Sequence, residues 1–448
     1  MLWADSYTVE SNSTVTTGKP VVEQENLTGS QFRQPCIPIP PPLMMSEEGS
    51  FAYFTLIQRM PAIVQRVIDE NDFPSSIVEN LETLIHQLPD GTVRMLNDKG
   101  PDVADWDKYL EPFLENRWID IPWLFAEVYF YRRIIEATHY FLPGSFQGVD
   151  PYEYQKRRGL KTAIDSIVEL SARVNVWSTT QQHGDGTSRT GLIALLYFAL
   201  WGNRADLSLW PINPGESEET RQEIHLEQSH ILADDTALIA DTVAKFDGVR
   251  IDLIADNAGF ELVCDLCLAD FLLASKAAEK LYLHLKPHPT FVSDATIKDV
   301  HDTLEFLAAQ DNGDIQSLAH RLQDYIAQGR LVCREDFFWT APLMFWEMPE
   351  DLKRELAQSG LILSKGDANY RRCLGDRHWS FTTSFQDIVC YFPAPFTALR
   401  TLKSELAAGL QPQQVEALNR EDSQWLTNGQ WGVIQFVDSR DHTVSQPQ

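Results

Sequence analysis

Ile251-Asp-Leu-Ile-Ala-Asp-Asn-Ala-Gly-Phe-Glu-Leu-Val-Cys-Asp265 is the stretch on which the fold turns. Its opening residues are apolar and partly β-branched, the pattern of a short buried strand. The strand ends in an acid–amide pair, Asp256-Asn257, followed by Gly259 and an apolar helix from Phe260. Strand, turn and helix in that order make one unit of a parallel sheet. Ligands bind such sheets beyond the carboxyl ends of the strands. Two hard oxygen side chains at that edge read as half of a metal site.

The same alternation continues toward the C-terminus. Strands are expected at 249–254, 281–285, 331–333, 361–363 and 388–392, with helices between them. Asp294 has the place of an N-cap for a helix over 295–310. Pro393 and Pro395 lead from the fifth strand to a helix carrying Arg400 and Lys403. This predicts a three-layer α/β/α domain over 233–448, with a mostly parallel, doubly wound sheet. Ahead of it, residues 46–232 read as a mainly helical domain. In that part 121–140 is aromatic-rich and polar only at intervals, the mark of a buried helix. Residues 1–45, rich in Ser, Thr, Asn and Pro, read as a flexible tail. The acidic stretch 215–223 reads as a linker, and Asn203 and Asp206 as loop or capping residues. His183-Gly-Asp-Gly-Thr-Ser188 is a polar loop and not a P-loop, because no Gly-Lys-Ser/Thr follows. The chain shows no internal repeat.

Composition narrows the function classes. The 448 residues are 44% hydrophobic with 12 Trp and 23 Phe, so the chain is globular. Lys and Arg total 37 against 64 Asp and Glu, a net charge of −27. Nucleic acid and anionic membrane both need a basic footprint, so neither is expected as a partner. A phosphorylated metabolite remains compatible, because a local cationic cluster dominates within a screening length of roughly 8 Å. No signal peptide and no membrane-length apolar run is seen. Six cysteines suggest no disulfide framework, and a cytoplasmic protein, with the nucleus as an alternative, fits best. In that compartment the sequons at Asn12 and Asn26 have no meaning. Cys264-Asp-Leu-Cys267 has CxxC spacing but no second pair, and reads as two small core residues of one helix.

Four loops of the expected sheet edge carry chemistry. They bring Asp256 and Asn257; Asp294 near Lys286 and His288; Lys365, Gly366, Asp367 and Asn369; and Arg400, Thr401 and Lys403. Acids and an amide suit Mg²⁺ or Mn²⁺. Lys and Arg beside such an ion suit a phosphate, and a helix opening at Lys365-Gly-Asp would add backbone donors. Each piece alone has a plainer reading as a turn, a cap or a surface charge; their coincidence at one edge points to a metal–phosphate site. Glu261 and Asp265 share a helix face four residues apart, and spacing alone favours a solvated stripe over support for the site.

These residues resemble a known family. Ala255–Asp265, Phe291–Val300, Ser364-Lys-Gly-Asp-Ala-Asn-Tyr-Arg371 and Leu399-Arg-Thr-Leu-Lys-Ser-Glu405 are similar to signatures of the metal-dependent damage-control phosphatases. Within that family they resemble the eukaryotic Arg-Thr-x-Lys subfamily, which includes the acidic-residue (protein-glutamate) methyltransferase-like proteins. Similarity extends over 118–135 and 200–208. The resemblance implies a helical part packed on an α/β/α domain. It implies Mn²⁺, or else Co²⁺, Ni²⁺ or Mg²⁺, held by Asp256, Asn257 and Asp294. It also implies substrate or phosphate contacts from Glu261, Lys365, Gly366, Asp367, Ala368, Asn369 and Lys403, and Arg400 joins them on charge. The implied activity is hydrolysis of sugar phosphates of the fructose 1-phosphate and fructose 6-phosphate type. The alternative is an S-adenosylmethionine-dependent protein carboxyl methyltransferase, for which Asp256-Asn-Ala-Gly259, with one glycine, is a poor cofactor loop. A third reading is a non-catalytic metal or metabolite sensor.

Overall fold

Among the described residues seven strands form one sheet in the order β1-β7-β6-β5-β2-β3-β4. They are β1 Ile231–Asp234, β2 Val249–Ile254, β3 Ala278–Leu285, β4 Leu331–Glu335, β5 Leu361–Lys365, β6 Phe396–Thr401 and β7 Gly432–Val437. All neighbours pair parallel except β6 and β7, which run antiparallel. This computed structural model describes residues 33–180, 187–202 and 229–438. The expected linker at 215–223, Asn203, Asp206 and most of the loop around His183 lie outside the described residues, as do the two sequons.

The order turns at β2. From β2 the chain builds outward through β3 and β4, then returns to place β5 on the other side of β2. The loops after β2 and β5 therefore open side by side, at the switch point where a doubly wound sheet leaves a crevice. Residue alternation decides the two faces. Leu361 and Leu363 join the core with Ile251, Leu253 and Leu399, whereas Ile362 joins Ile254, Phe396 and Ala398 on the other side.

Helices cover both faces. On one lies α1, Trp123–Ala137, with every residue buried. Beyond α1, the helices α2 Glu153–Thr162, α3 Ile164–Thr180 and α4 Thr187–Trp201 follow in the chain. On the second face α3 and α4 pack against α5, Phe260–Ala274, with α6 Ile297–Ala308 and α7 Gly313–Ala327 beside it. The expected three-layer α/β/α arrangement with a helical part is the one observed. Cys264 and Cys267 are both buried in α5, as two apolar residues would be.

Four local readings change. Residues 388–392 are not a strand: Phe385–Val389 is a short helix, started by Ser384 accepting from the Asp387 N–H. The strand is β6, after the prolines, so Arg400 and Thr401 sit at a strand end, with Lys403 just past it. Short apolar runs carry no period long enough to separate helix from strand. Cys36 and Cys390 form a disulfide, and residues 33–45, read as tail, lie on the body, with Leu43 and Met45 buried.

Candidate functional site

The turn after β2 presents Asp256 and Asn257, and the chain from β3 returns to meet it. Asn257 and Asp294 form an isolated bridge, and the Ala295 N–H donates to the Asp256 carbonyl at 2.7 Å. Ser293 Oγ donates to Asn257 Oδ1 at 2.6 Å, while Asn257 Nδ2 donates to Asp256 and Glu261, each at 2.9 Å. The return is made by Phe291 and Val292, both left-handed with φ of 45° and 67°. That conformation is rare for a bulky or β-branched residue and costs about 1–3 kcal/mol where surroundings enforce it. It aims Asp294 back into the cleft. Asp294 does not cap: Thr296 takes that role, with Asp299, for α6.

Asp294 is 2% exposed, and among the described residues its Oδ2 has no hydrogen-bond partner; Lys286 Nζ stands 3.5 Å away, an ion-pair contact too long for a good hydrogen bond. Burial pushes this carboxyl up to about 6, although Lys286 and Lys156 pull it down. Asp256 is pushed well above the usual carboxylate range by burial and by facing Glu261 and Asp294. Acids that repel one another in a buried pocket, one with an orphaned oxygen, are a donor set for a hard cation. Among the described residues no cluster of three or more His, Cys, Asp or Glu side chains is arranged to hold a metal. The candidate set instead has two carboxylates and the Asn257 amide, which as a neutral oxygen donor fits Mg²⁺ or Mn²⁺.

The turn after β5 closes against this set. Gly366 has φ of 88°, and a Cβ there would overlap the Asp256 carboxylate, so only glycine fits. Helix α8, Asp367–Leu374, begins at once, as expected for Lys365-Gly-Asp. Lys365, 1% exposed, pairs with Asp265 at 2.8 Å and Glu261 at 3.4 Å. Burial lowers its pKa, but those two carboxylates outweigh burial and hold it above the lysine range. Asp265 is itself pushed up to about 6 by burial, against the pull of Lys365. Asp265 is fully buried, so the pair Glu261 and Asp265 is no solvated stripe. It anchors the β5 lysine to α5.

Two residues expected to touch ligand serve as braces. Arg400 is 0% exposed; its Nε donates to Asp367 Oδ1 at 2.8 Å, and its other nitrogens donate to the Leu406 carbonyl and to Ser404. The Lys403 N–H and Ser404 Oγ donate to the same Asp367 oxygen. Burial would raise Asp367, yet Arg400 and Arg371 hold it below the usual carboxylate range. Asn369 is buried and donates to the carbonyls of Ala255 and Lys365, tying α8 to β2 and β5, and it accepts from Lys286. His288, expected near Asp294, is buried against Phe141 and 3.9 Å from Asp102, and burial with Arg132 lowers it to about 4.

Asp256, Asn257, Ser293, Asp367 and Lys403 line two arms of one cleft. The wide arm, about 550 Å³, adds Glu261, Lys365, Gly366, Gln155, Thr401 and Asn428. The narrow arm, about 220 Å³, adds Asp294, Ala368, Arg371, Tyr131, Trp123 and Arg59. Sequence reading missed Ser293, the two left-handed residues and the narrow-arm side chains from the helical part. Nothing in a helical period marks which buried aromatic faces a cavity.

A mostly parallel sheet whose switch point gathers acids, an amide and a helix start defines an α/β protein with a polar cleft at its strand ends. Comparison with known proteins narrows this: residues 55–418 match the damage-control phosphatase ARMT1-like domain, and the chain belongs to that family. The resemblance read from the four motifs is thereby borne out. Damage-control phosphatase ARMT1 of Rattus norvegicus is 35% identical over 433 residues, covering 88% of this chain and 98% of that protein. Those of Danio rerio and Homo sapiens are each 33% identical, covering 89% of this chain and 97% and 98% of their own lengths. The crystal structure of a DUF89 family protein from Pyrococcus horikoshii aligns over 79% of this chain and 92% of its own, with TM-score 0.39 and 15% identity. So loose a superposition carries no argument. Among the described residues no helix is long and apolar enough to cross a membrane.

Proposed function

We propose that this protein is a metal-dependent phosphomonoester hydrolase acting on a small phosphorylated sugar of the fructose 1-phosphate or fructose 6-phosphate type. Membership of a damage-control phosphatase family supports the reaction class. The observation that carries the reading is the orphaned Asp294 oxygen facing Asp256 and Asn257 beside the start of α8. Asp256, Asn257 and Asp294 would hold the divalent ion, Mn²⁺ for preference. Such an ion, when bound, supplies Lewis-acid polarisation and a more acidic bound water.

The chain's own groups do the rest. Lys403 lines both arms and offsets charge on the phosphoryl oxygens. The first-turn N–H groups of Asp367, Ala368 and Asn369 face an anion at the positive end of α8. Asp367, clamped by Arg400 and Ser404, stays ionised and fixed, so it can orient an attacking water without drifting. Glu261 reaches into the wide arm as an acceptor for sugar hydroxyls.

The test is phosphate release from a panel of sugar phosphates with Mn²⁺, Co²⁺, Ni²⁺ or Mg²⁺ added. Turnover that needs a divalent ion and is lost in Asp256→Ala supports the reading. Full activity in Asp256→Ala, or in chelator, would sink it.

A further inference from the structure

The two arms of the cleft differ in which cations are left uncommitted. In the wide arm, Lys365 is held by Asp265 and Glu261, and Lys156 by Asp150 and Asp299. Apart from Lys403, shared by both arms, the groups that remain there are neutral or acidic, among them Gln155, Thr401, Asn428 and Glu261. In the narrow arm, Arg371 is taken up by Asp376 and Glu127. That leaves Lys403, at the junction, and Arg59, which lines only the narrow arm. Among the described residues, neither has a carboxylate within ion-pair distance.

Arg59 owes its position to a break in helical rhythm. Phe51–Phe54 is α-helical and Met60–Glu70 is α-helical, but Thr55–Arg59 between them is a π-turn. The Met60 N–H reaches back to the Thr55 carbonyl, one residue farther than an α-helix allows. Such insertions are uncommon and collect at functional sites. Arg59 Nη1 donates to Thr55 Oγ1 at 3.2 Å, and its guanidinium lies over the Phe51 ring at 4.9 Å. One of its five N–H groups is thus used by a hydroxyl, and among the described residues the others have no anionic partner in a cleft that already holds Asp294 and the start of α8.

We infer that Arg59 is the anion-binding residue of the narrow arm, closing with Lys403 on the phosphoryl group at the start of α8. The organic part of the ester then lies in the wide arm, where amides, a hydroxyl and Glu261 suit a neutral polyol and disfavour a second anionic group. The identity of the anion as a substrate phosphoryl group rests on the phosphatase reading; the binding of phosphate by Arg59 does not.

The experiment is a calorimetric titration of inorganic phosphate into the Mn²⁺-loaded full chain. Arg59→Gln is expected to weaken phosphate binding at least about tenfold, the loss of one charge-assisted hydrogen bond. Arg59→Lys should fall between, because lysine keeps the charge and loses the planar fork. The thermal midpoint without phosphate should not move, which separates binding from support of the fold. If Arg59→Gln misfolds, Arg59→Met keeps the stem on Phe51 and its phosphate affinity decides. Wild-type affinity in the folded glutamine or methionine variant overturns the inference. If the wild-type protein releases phosphate from no ester, the phosphatase reading fails, and the phosphate titration still decides for Arg59.

Discussion

Gly366 and Asp256 occupy a space that permits no third group. The positive φ at Gly366 and the carboxylate against its missing Cβ make the same demand from two directions. Gly366→Ala is therefore expected to push the β5–α8 turn away from Asp256. A displacement near 1 Å in a reacting site costs about 100-fold, and phosphate release should fall by at least that much. Steady-state kinetics under saturating Mn²⁺ reads it; activity within about threefold of wild type would show that the close approach has no catalytic meaning. Asp256 itself is a residue whose site role opposes its stability. It is buried and faces two other acids, so replacing its charge removes repulsion. Asp256→Asn should leave the metal-free protein as stable as wild type or raise its Tm by about 1–3 °C. The same variant should lose the Tm rise that Mn²⁺ gives. Calorimetric scans with and without the ion check both halves.

Among the elements, α5 and β5 are joined by a buried charge pair that the spacing of Glu261 and Asp265 foreshadowed only in part. Four residues apart they share a face, but spacing says nothing about what covers that face. Lys365 covers it, and no local pattern in 361–365 points at a helix a hundred residues away. Removing one member of a buried pair leaves an uncompensated charge and costs about 3–5 kcal/mol. Asp265→Asn is expected near the lower end, since Glu261 still faces Lys365 at 3.4 Å. Asp265→Leu with Lys365→Met should recover part of that loss, because both charges go together. Denaturant unfolding of the single and double variants measures the coupling, and strict additivity would mean the pair is not a unit. The same logic explains what was legible. Strand–turn–helix units with alternating cores were readable at β2, β3 and β5 because the pattern is local. The run 388–392 reads as a strand, though it holds only the end of the helix Phe385–Val389, because five apolar residues carry too little periodicity. Strand β7, Gly432–Val437, lies between β1 and β6, and no local pattern announces it, because its partners are β1, far earlier in the chain, and β6, which it meets antiparallel. Arg400 was placed on a helix surface by that error; on β6 it points inward to Asp367.

At the scale of the whole molecule, the cleft lies where the helical part, through Arg59, Trp123 and Tyr131, meets the strand ends of the sheet. Buried acids held there at some cost in stability make stability and metal binding depend on pH in opposite ways. Asp294 and Asp265 are each pushed up to about 6 by burial, against an unfolded carboxyl near 3.9. An acid with a raised folded pKa binds its proton more tightly in the native state. Its contribution to metal-free stability is full below about pH 4 and is lost as pH rises through about 6. A divalent ion reverses this at Asp294, because it binds only the ionised carboxylate. Mn²⁺ affinity should therefore be level above about pH 7 and fall about tenfold per unit below about pH 6. Ligand-linked stabilisation grows with affinity, so the gap in Tm between metal-loaded and metal-free protein should widen as pH rises from 5 to 7. The comparison is made at each pH on the same protein, so titrations elsewhere in a chain of net charge −27 largely cancel. A gap that stays constant across that range would mean that Asp294 is ionised throughout, or that it does not meet the metal. Asp294→Asn separates these: if Asp294 is a ligand, the variant loses the gap at every pH, and if it is not, the variant keeps it.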